Sequence, residues 1–172
     1  MNIFYAKAVL YAYPNIDAVI GQIDELVERK ALSSISDFSP CIEQCEKILN
    51  FSKQKCALII LKDSVQKILS TFTEQELICL DYKYFHKKKK SEYAGFDFFG
   101  RNYFRKQIRI ANKFSDKLEK AGITDEWFDK NCMCTDFFVE LVRRVKEYEI
   151  KAHKNKGANA NKVKKNTSEL SA

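Results

Sequence analysis

Turn-forming residues are almost missing from this chain: five glycines and two prolines serve 172 residues. A β-rich fold needs many tight turns, and tight turns are built mainly on Gly, Pro, Asn and Asp. The scarcity predicts an all-α fold of helices joined by few loops. Hydrophobic residues make up 45% of the chain, enough to build a core at this length. They come in short runs, such as Cys56 to Leu61, far below the ~20 apolar residues that a membrane helix needs. Lys7 interrupts the first apolar stretch, and no cleavage pattern follows it, so no signal peptide is expected. The six cysteines then read as reduced thiols in a cytoplasm rather than a disulfide framework.

The helices can be placed by periodicity. Ile16, Val19, Ile20, Ile23, Leu26 and Val27 recur at spacings of three and four between Asp17, Gln22, Asp24, Glu25 and Glu28, which predicts an amphipathic helix over roughly 15–31. A polar loop, Ser33 to Pro40, separates it from a stretch without Gly or Pro, Cys41 to Phe72. That stretch reads as one long helix, or two with a break near Asn50, with Ile42, Cys45, Leu49, Cys56, Ile59 or Ile60, Val65 and Ile68 on its core face. The two segments form an expected helical hairpin over residues 1–72. Thr73-Glu74-Gln75-Glu76 is a capping box opening a helix that buries Leu77, Leu80 and Tyr84.

Charge is segregated along the sequence. Residues 1–85 carry net −2, 86–113 net +7, 114–142 net −4 and 143–172 net +6. A basic block and a basic tail of this kind point to a polyanionic partner, nucleic acid first. His86 and Lys87–Lys90 mark an exposed turn, and an aromatic stretch, Tyr93 to Phe99, follows it. Gly100 then precedes a basic helix whose inner side is read as Tyr103, Phe104, Ile108, Ala111 and Phe114 or Leu118. On that reading Ile108→Asp puts a charge into the core. Gly122 is a left-handed stop for this helix. Thr124 starts a short helix with Trp127 and Phe128. A last helix, roughly Asp136 to Lys151, buries Phe137 or Phe138, Leu141, Val142, Val145 and Tyr148. Residues 154–172 have Val163 and Leu170 as their only large apolar residues and are expected to be a disordered basic tail. The chain thus divides into a hairpin region (1–72), a central segment (73–122), C-terminal helices (123–153) and the tail (154–172).

The order from Thr73 to Leu118 fits a helix-turn-helix whose second helix enters the major groove by its N-terminal end. Arg101, Asn102, Arg105, Lys106 and Arg109 occupy its first turns. Arg can donate two bonds to guanine, and Asn pairs with the adenine edge. Lys87, Lys88, Lys89, Lys90 and Lys113 suit phosphates. The aromatic stretch can serve as core anchors or, less simply, as base-stacking platforms. Cys41-x-x-x-Cys45 and Cys132-x-Cys134 have poor spacing for zinc, which favours C-x₂-C pairs, so no metal and no cofactor are expected. The chain carries none of the nucleophile, phosphate-loop or metalloprotease motifs, so it is not expected to be an enzyme.

These residues resemble region four of bacterial sigma factors, in the form found in sigma-like regulators of phages and mobile elements in Firmicutes, the ArpU-like group. Glu76 and Tyr84 match its first helix, and Glu92-Tyr93-Ala94 falls at its E-I-A position. Gly100-Arg101-Asn102-Tyr103-Phe104 stands at the start of its recognition helix, with Ile108 and Ala111 at the next two spacings. The chain departs from the pattern at Asp97, at Phe98 where the family has a turn glycine, and at Gly100 where it often has a capping Ser. The resemblance implies a lone region-four-like module that binds double-stranded DNA and regulates transcription. It also leaves room for a helical interaction module that binds RNA polymerase or a phage partner through its basic face.

Overall fold

The computed structural model describes residues 1–33, 41–85, 93 and 101–151, and every regular element among them is helical. The polar loop before Pro40, the lysine run, most of the aromatic stretch and the tail lie outside the described residues. The elements are α1 (Ile3–Ala12), a 3₁₀ turn (Tyr13–Asn15), α2 (Ile16–Ser33), α3 (Cys41–Leu69), α4 (Glu74–Leu80), a π-helical turn (Asp81–Phe85), α5 (Arg101–Lys120), α6 (Asp125–Asn131) and α7 (136–151).

α1 has no counterpart among the helices that periodicity predicts, and it lies at the centre. Ala6, Ala8, Val9, Leu10 and Ala12 are all fully buried. Their positions span a little over half of the helix circumference, and Ile3, Phe4, Lys7 and Tyr11 on the remaining side are half-buried, so α1 offers periodicity little contrast to detect. It packs on α5 and on the π-helical turn. Tyrosines of α1 and of the turn after it extend the contact: Tyr5 stacks on Phe128, Tyr11 meets Tyr84 edge-on, and Tyr13 tilts against Phe85. Polar bonds hold its N-terminal end and its middle. The Asn2 side chain caps the helix by accepting from the Phe4 amide at 2.9 Å, and the Asn2 amide donates to Asp125. Ser115 of α5 donates to the Met1 carbonyl at 2.6 Å. Lys7 pairs with Glu149 of α7 at 2.7 Å.

α2 and α3 form the expected hairpin, held in register by Asp24–Lys55 and Asp17–Lys62 ion pairs of 2.6 Å. α3 is one unbroken helix. Val65 and Ile68 are buried as expected, but the rest of its core face differs from the expected one. The seam runs through Gln44, Ile48, Phe51, Leu58, Leu61, Val65 and Ile68, all buried or half-buried, while Ile42, Cys45, Leu49, Cys56, Ile59 and Ile60 face outward. α3 is apolar on two faces, and α2 packs on only one of them. The same kind of correction applies to α5. Tyr103, Ile110, Ala111, Phe114 and Leu118 face inward, but Phe104 is 56% and Ile108 60% exposed. Tyr148 of α7 is exposed as well, whereas Phe138, Val142 and Val145 are buried.

The predicted caps are present. Thr73 accepts from the Glu76 amide, and Glu76 accepts from the Thr73 amide at 2.9 Å. Gly122 has φ of 86°, the left-handed conformation. The Ile123 amide reaches back to the Leu118 carbonyl and the Gly122 amide to Glu119, the paired bonds that close a helix at glycine. Thr124 then caps α6 through the Trp127 amide at 3.2 Å. One cluster of buried residues extends from Ala6 to Val145, so the described parts of residues 1–72, 73–122 and 123–153 share a core.

Leu10→Ala is expected to cost about 2–5 kcal/mol, the usual loss for a buried leucine, and to lower a single unfolding transition of all helices. Ile108→Asp, on the open side of α5, is expected to stay within about 0.5 kcal/mol of the wild type. Thermal melts followed by circular dichroism check both.

Candidate nucleic-acid interface on α5

α5 begins with fifteen residues, 101–115, that include Arg101, Arg105, Lys106, Arg109 and Lys113 and no acid; Asp116 is the first. Its inner face is committed to the core by Tyr103, Ile110, Phe114 and Leu118. The helical period then places Asn102, Arg105, Arg109 and Asn112 together on the opposite side, at spacings of three and four, and all four are exposed. Phe104 and Ile108 adjoin this strip as exposed apolar side chains. Arg105 and Arg109 make no ion pair among the described residues. Two guanidiniums, two amides and apolar side chains on one open helix face can bond to base edges and phosphates and touch thymine methyl groups.

The other predicted contact residues are placed differently. Lys106 is half-buried and donates to Gln75 of α4 at 2.9 Å. Lys113 lies 2.8 Å from both Glu76 carboxylate oxygens, with its ammonium 4.6 Å from the centre of the Phe72 ring. These two lysines clamp α5 onto α4, and the Lys113 charge is balanced there. The side chain of Arg101 and all of Lys87–Lys90 lie outside the described residues. Glu76 joins the clamp to the capping box. Burial pushes its carboxyl up, but bonds from Lys113 and Thr73 outweigh burial and hold it below the ordinary value.

Behind the exposed strip is a polar cluster that periodicity does not indicate. Lys83, in the π-helical turn, donates to Gln107 at 3.3 Å, and Gln107 donates to the Tyr103 hydroxyl. Burial, reinforced by the nearby Lys7 charge, pulls the Lys83 ammonium down, and Glu149 partly offsets this. Burial raises Tyr103 to about 12. The buried Tyr84 hydroxyl has no hydrogen-bond partner among the described residues. Tyr84 is buried, as its spacing from Leu80 predicts; the extra residue of the π turn brings Lys83 in beside it, which a strict 3.6-residue period does not anticipate. Through Lys83 and Gln107 the cluster ties α5 to the π-helical turn.

On the far side of α4, a hollow of about 350 Å³ is lined by Leu77, Ile78, Phe85 and Tyr93, with Glu74 and Asp81 at its edge. Tyr93 donates to Asp81 there at 2.6 Å. Among the described residues no three metal-binding side chains converge. Cys132 is buried and Cys134 exposed, and burial pushes the Cys132 thiol up to about 12. Among the described residues no helix is long and apolar enough to cross a membrane. No family model, curated protein or solved structure matches this chain.

Glu76→Gln is expected to lower stability by about 1–2 kcal/mol near neutral pH, since it weakens both a cap and a charge-assisted bond. Because the folded-state pKa lies below the ordinary 4.5, the pair contributes fully above that value and is lost as pH falls through the lower folded-state pKa. The melting-temperature difference between wild type and Glu76→Gln should therefore be large at pH 7 and shrink below about pH 4.5.

Proposed function

We propose that the protein is a cytoplasmic, non-enzymatic transcriptional regulator that reads double-stranded DNA with α5, in the manner of a sigma region-four-like helix-turn-helix. The observation that supports this most is the open strip of α5: Asn102, Arg105 and Arg109 exposed together, with no acid before Asp116 and no ion pair on either arginine among the described residues. An ordinary solvated helix face mixes both signs, as α7 does where Arg143 and Arg144 pair with Glu140. In this reading Arg101, Asn102, Arg105 and Arg109 contact bases. Lys87–Lys90 hold phosphates on the approach to the helix, and Lys106 and Lys113 set its angle through α4. The Arg-rich strip on a rigid, core-anchored helix suits a groove, because its side chains project from a fixed axis.

A second reading has its own support. Phe104 and Ile108 are exposed beside the arginines, and apolar side chains with Arg also make good protein contacts. On that reading the strip binds RNA polymerase or another acidic protein partner without reading DNA.

Selection of duplexes from a random pool, followed by fluorescence anisotropy on the best site, separates the two. Arg105→Ala and Arg109→Ala are each expected to cost about 1–3 kcal/mol on the selected site and much less on random duplex. The triple variant Lys87→Ala, Lys88→Ala, Lys89→Ala is expected to weaken all duplexes alike and to flatten the salt slope by about 0.9 for each phosphate it no longer neutralises. Full sequence preference in both arginine variants, or no selectable site at all, makes the protein-interaction reading the better one.

A further inference from the structure

α3 carries two apolar stripes. One is the seam packed on α2. The other consists of Ile42, Cys45, Leu49, Cys56, Ile59 and Ile60, all exposed, with Ile42 at 75% and Leu49 at 53%. A helix that covers a globular core needs one stripe. The outer stripe has heptad spacing: Ile42, Leu49 and Cys56 occupy one core position, and Cys45, Ser52 and Ile59 the other. That is the pattern of a coiled-coil seam. It stops at Asp63, which holds the next core position.

We infer that this stripe packs against the same stripe of a second copy of the chain, with the two α3 helices antiparallel about a two-fold axis. Charge selects both the occupant and the direction. Glu46 and Lys53 flank the stripe on one edge, seven residues apart; both are exposed, and neither has an ion pair among the described residues. In an antiparallel seam the two kinds of core position face each other across the axis. Ile42 then meets Ile59 of the second copy, Cys45 meets Cys56, and Leu49 meets Ser52. In the same register Glu46 of each copy lies beside Lys53 of the other, so one chain supplies both halves of two equivalent ion pairs. Self-complementarity of this kind is what a two-fold interface requires. A parallel pairing places Glu46 and Lys53 beside Cys41 and Ile48, which offer no opposite charge.

The seam from Ile42 to Ile59 is about 27 Å long at 1.5 Å per residue. That is short for an interface of the standard ~800 Å² per partner, so the dimer is reversible and concentration-dependent. The inference does not rest on the DNA reading, because α5 takes no part in the seam.

Sedimentation velocity of the full chain is expected to show monomer giving way to dimer as concentration rises through the ~10 μM range. Leu49→Glu, at an exposed position, is expected to raise the dissociation constant at least ~tenfold with an unchanged circular dichroism melt. Glu46→Lys and Lys53→Glu should each weaken the dimer, and the two together should restore it. Oxidation with copper phenanthroline removes two protons and two electrons from a facing pair of thiols. It should give a covalent dimer whose linked peptide joins Cys45 to Cys56. A chain that stays monomeric throughout leaves the stripe to a different protein and overturns the inference. A dimer that survives Leu49→Glu, a charge swap that fails to restore association, or a cross-link joining Cys45 to Cys45 overturns it as well.

Discussion

A helix with no freely exposed side cannot rest on a surface; it must be surrounded. α1 imposes that condition on this chain. Ala6, Ala8, Val9, Leu10 and Ala12 are fully buried and the rest of Ile3–Ala12 is half-buried, so α5, the π-helical turn and, through Tyr5–Phe128 and Lys7–Glu149, α6 and α7 form a wall against it. The small side chains at positions 6, 8 and 12 suit close approach, since less side-chain volume separates the helix axes. The polar bonds at its N-terminal end, from Asn2 to Asp125 and from Ser115 to Met1, join it to α5 and α6, elements more than a hundred residues away in sequence. Long-range packing of this kind makes unfolding cooperative, because few buried residues belong to one element alone.

The orientation of α5 follows from that wall. Its inner residues are taken by α1, α3 and α4, and the Lys106–Gln75 and Lys113–Glu76 contacts hold it from the side. Cations at positions 106 and 113 thereby become positioning groups, while those at 105 and 109 stay available to a partner. One basic helix thus divides its charges between holding itself in place and facing outward. From behind, the Lys83–Gln107 bond ties α5 to the π-helical turn.

α3 shows the same division in apolar residues. One stripe is consumed by α2 and the core; the other has the spacing and the flanking charges of a second, intermolecular seam. The two activities proposed for the chain, reading through α5 and pairing through α3, therefore rest on different helices joined by one core.

Much of this was legible in the sequence. Scarce turn formers implied an all-α fold, and the Thr73–Glu76 box, the Gly122 stop and the Thr124 cap marked helix ends because capping is local chemistry between neighbours three to five residues apart. α2, with one apolar side and acids on the other, could be read directly. The basic character of α5, with Asn102, Arg105 and Arg109 near its start, was also plain. The sequence did not determine which face each helix buries when more than one is apolar. Ile108 and Ile110 are alike in type and two residues apart, roughly 160° from each other around the axis by helical geometry, yet only Ile110 is inside. On α3 the choice between Leu49 and Phe51 is of the same kind. α1 gives no periodic signal because periodicity reports a contrast between faces, and a helix buried or half-buried at every position offers little. Burial is a property of neighbours distant in sequence, so tertiary packing alone could decide which of two adequate faces meets the core and which is left for a partner.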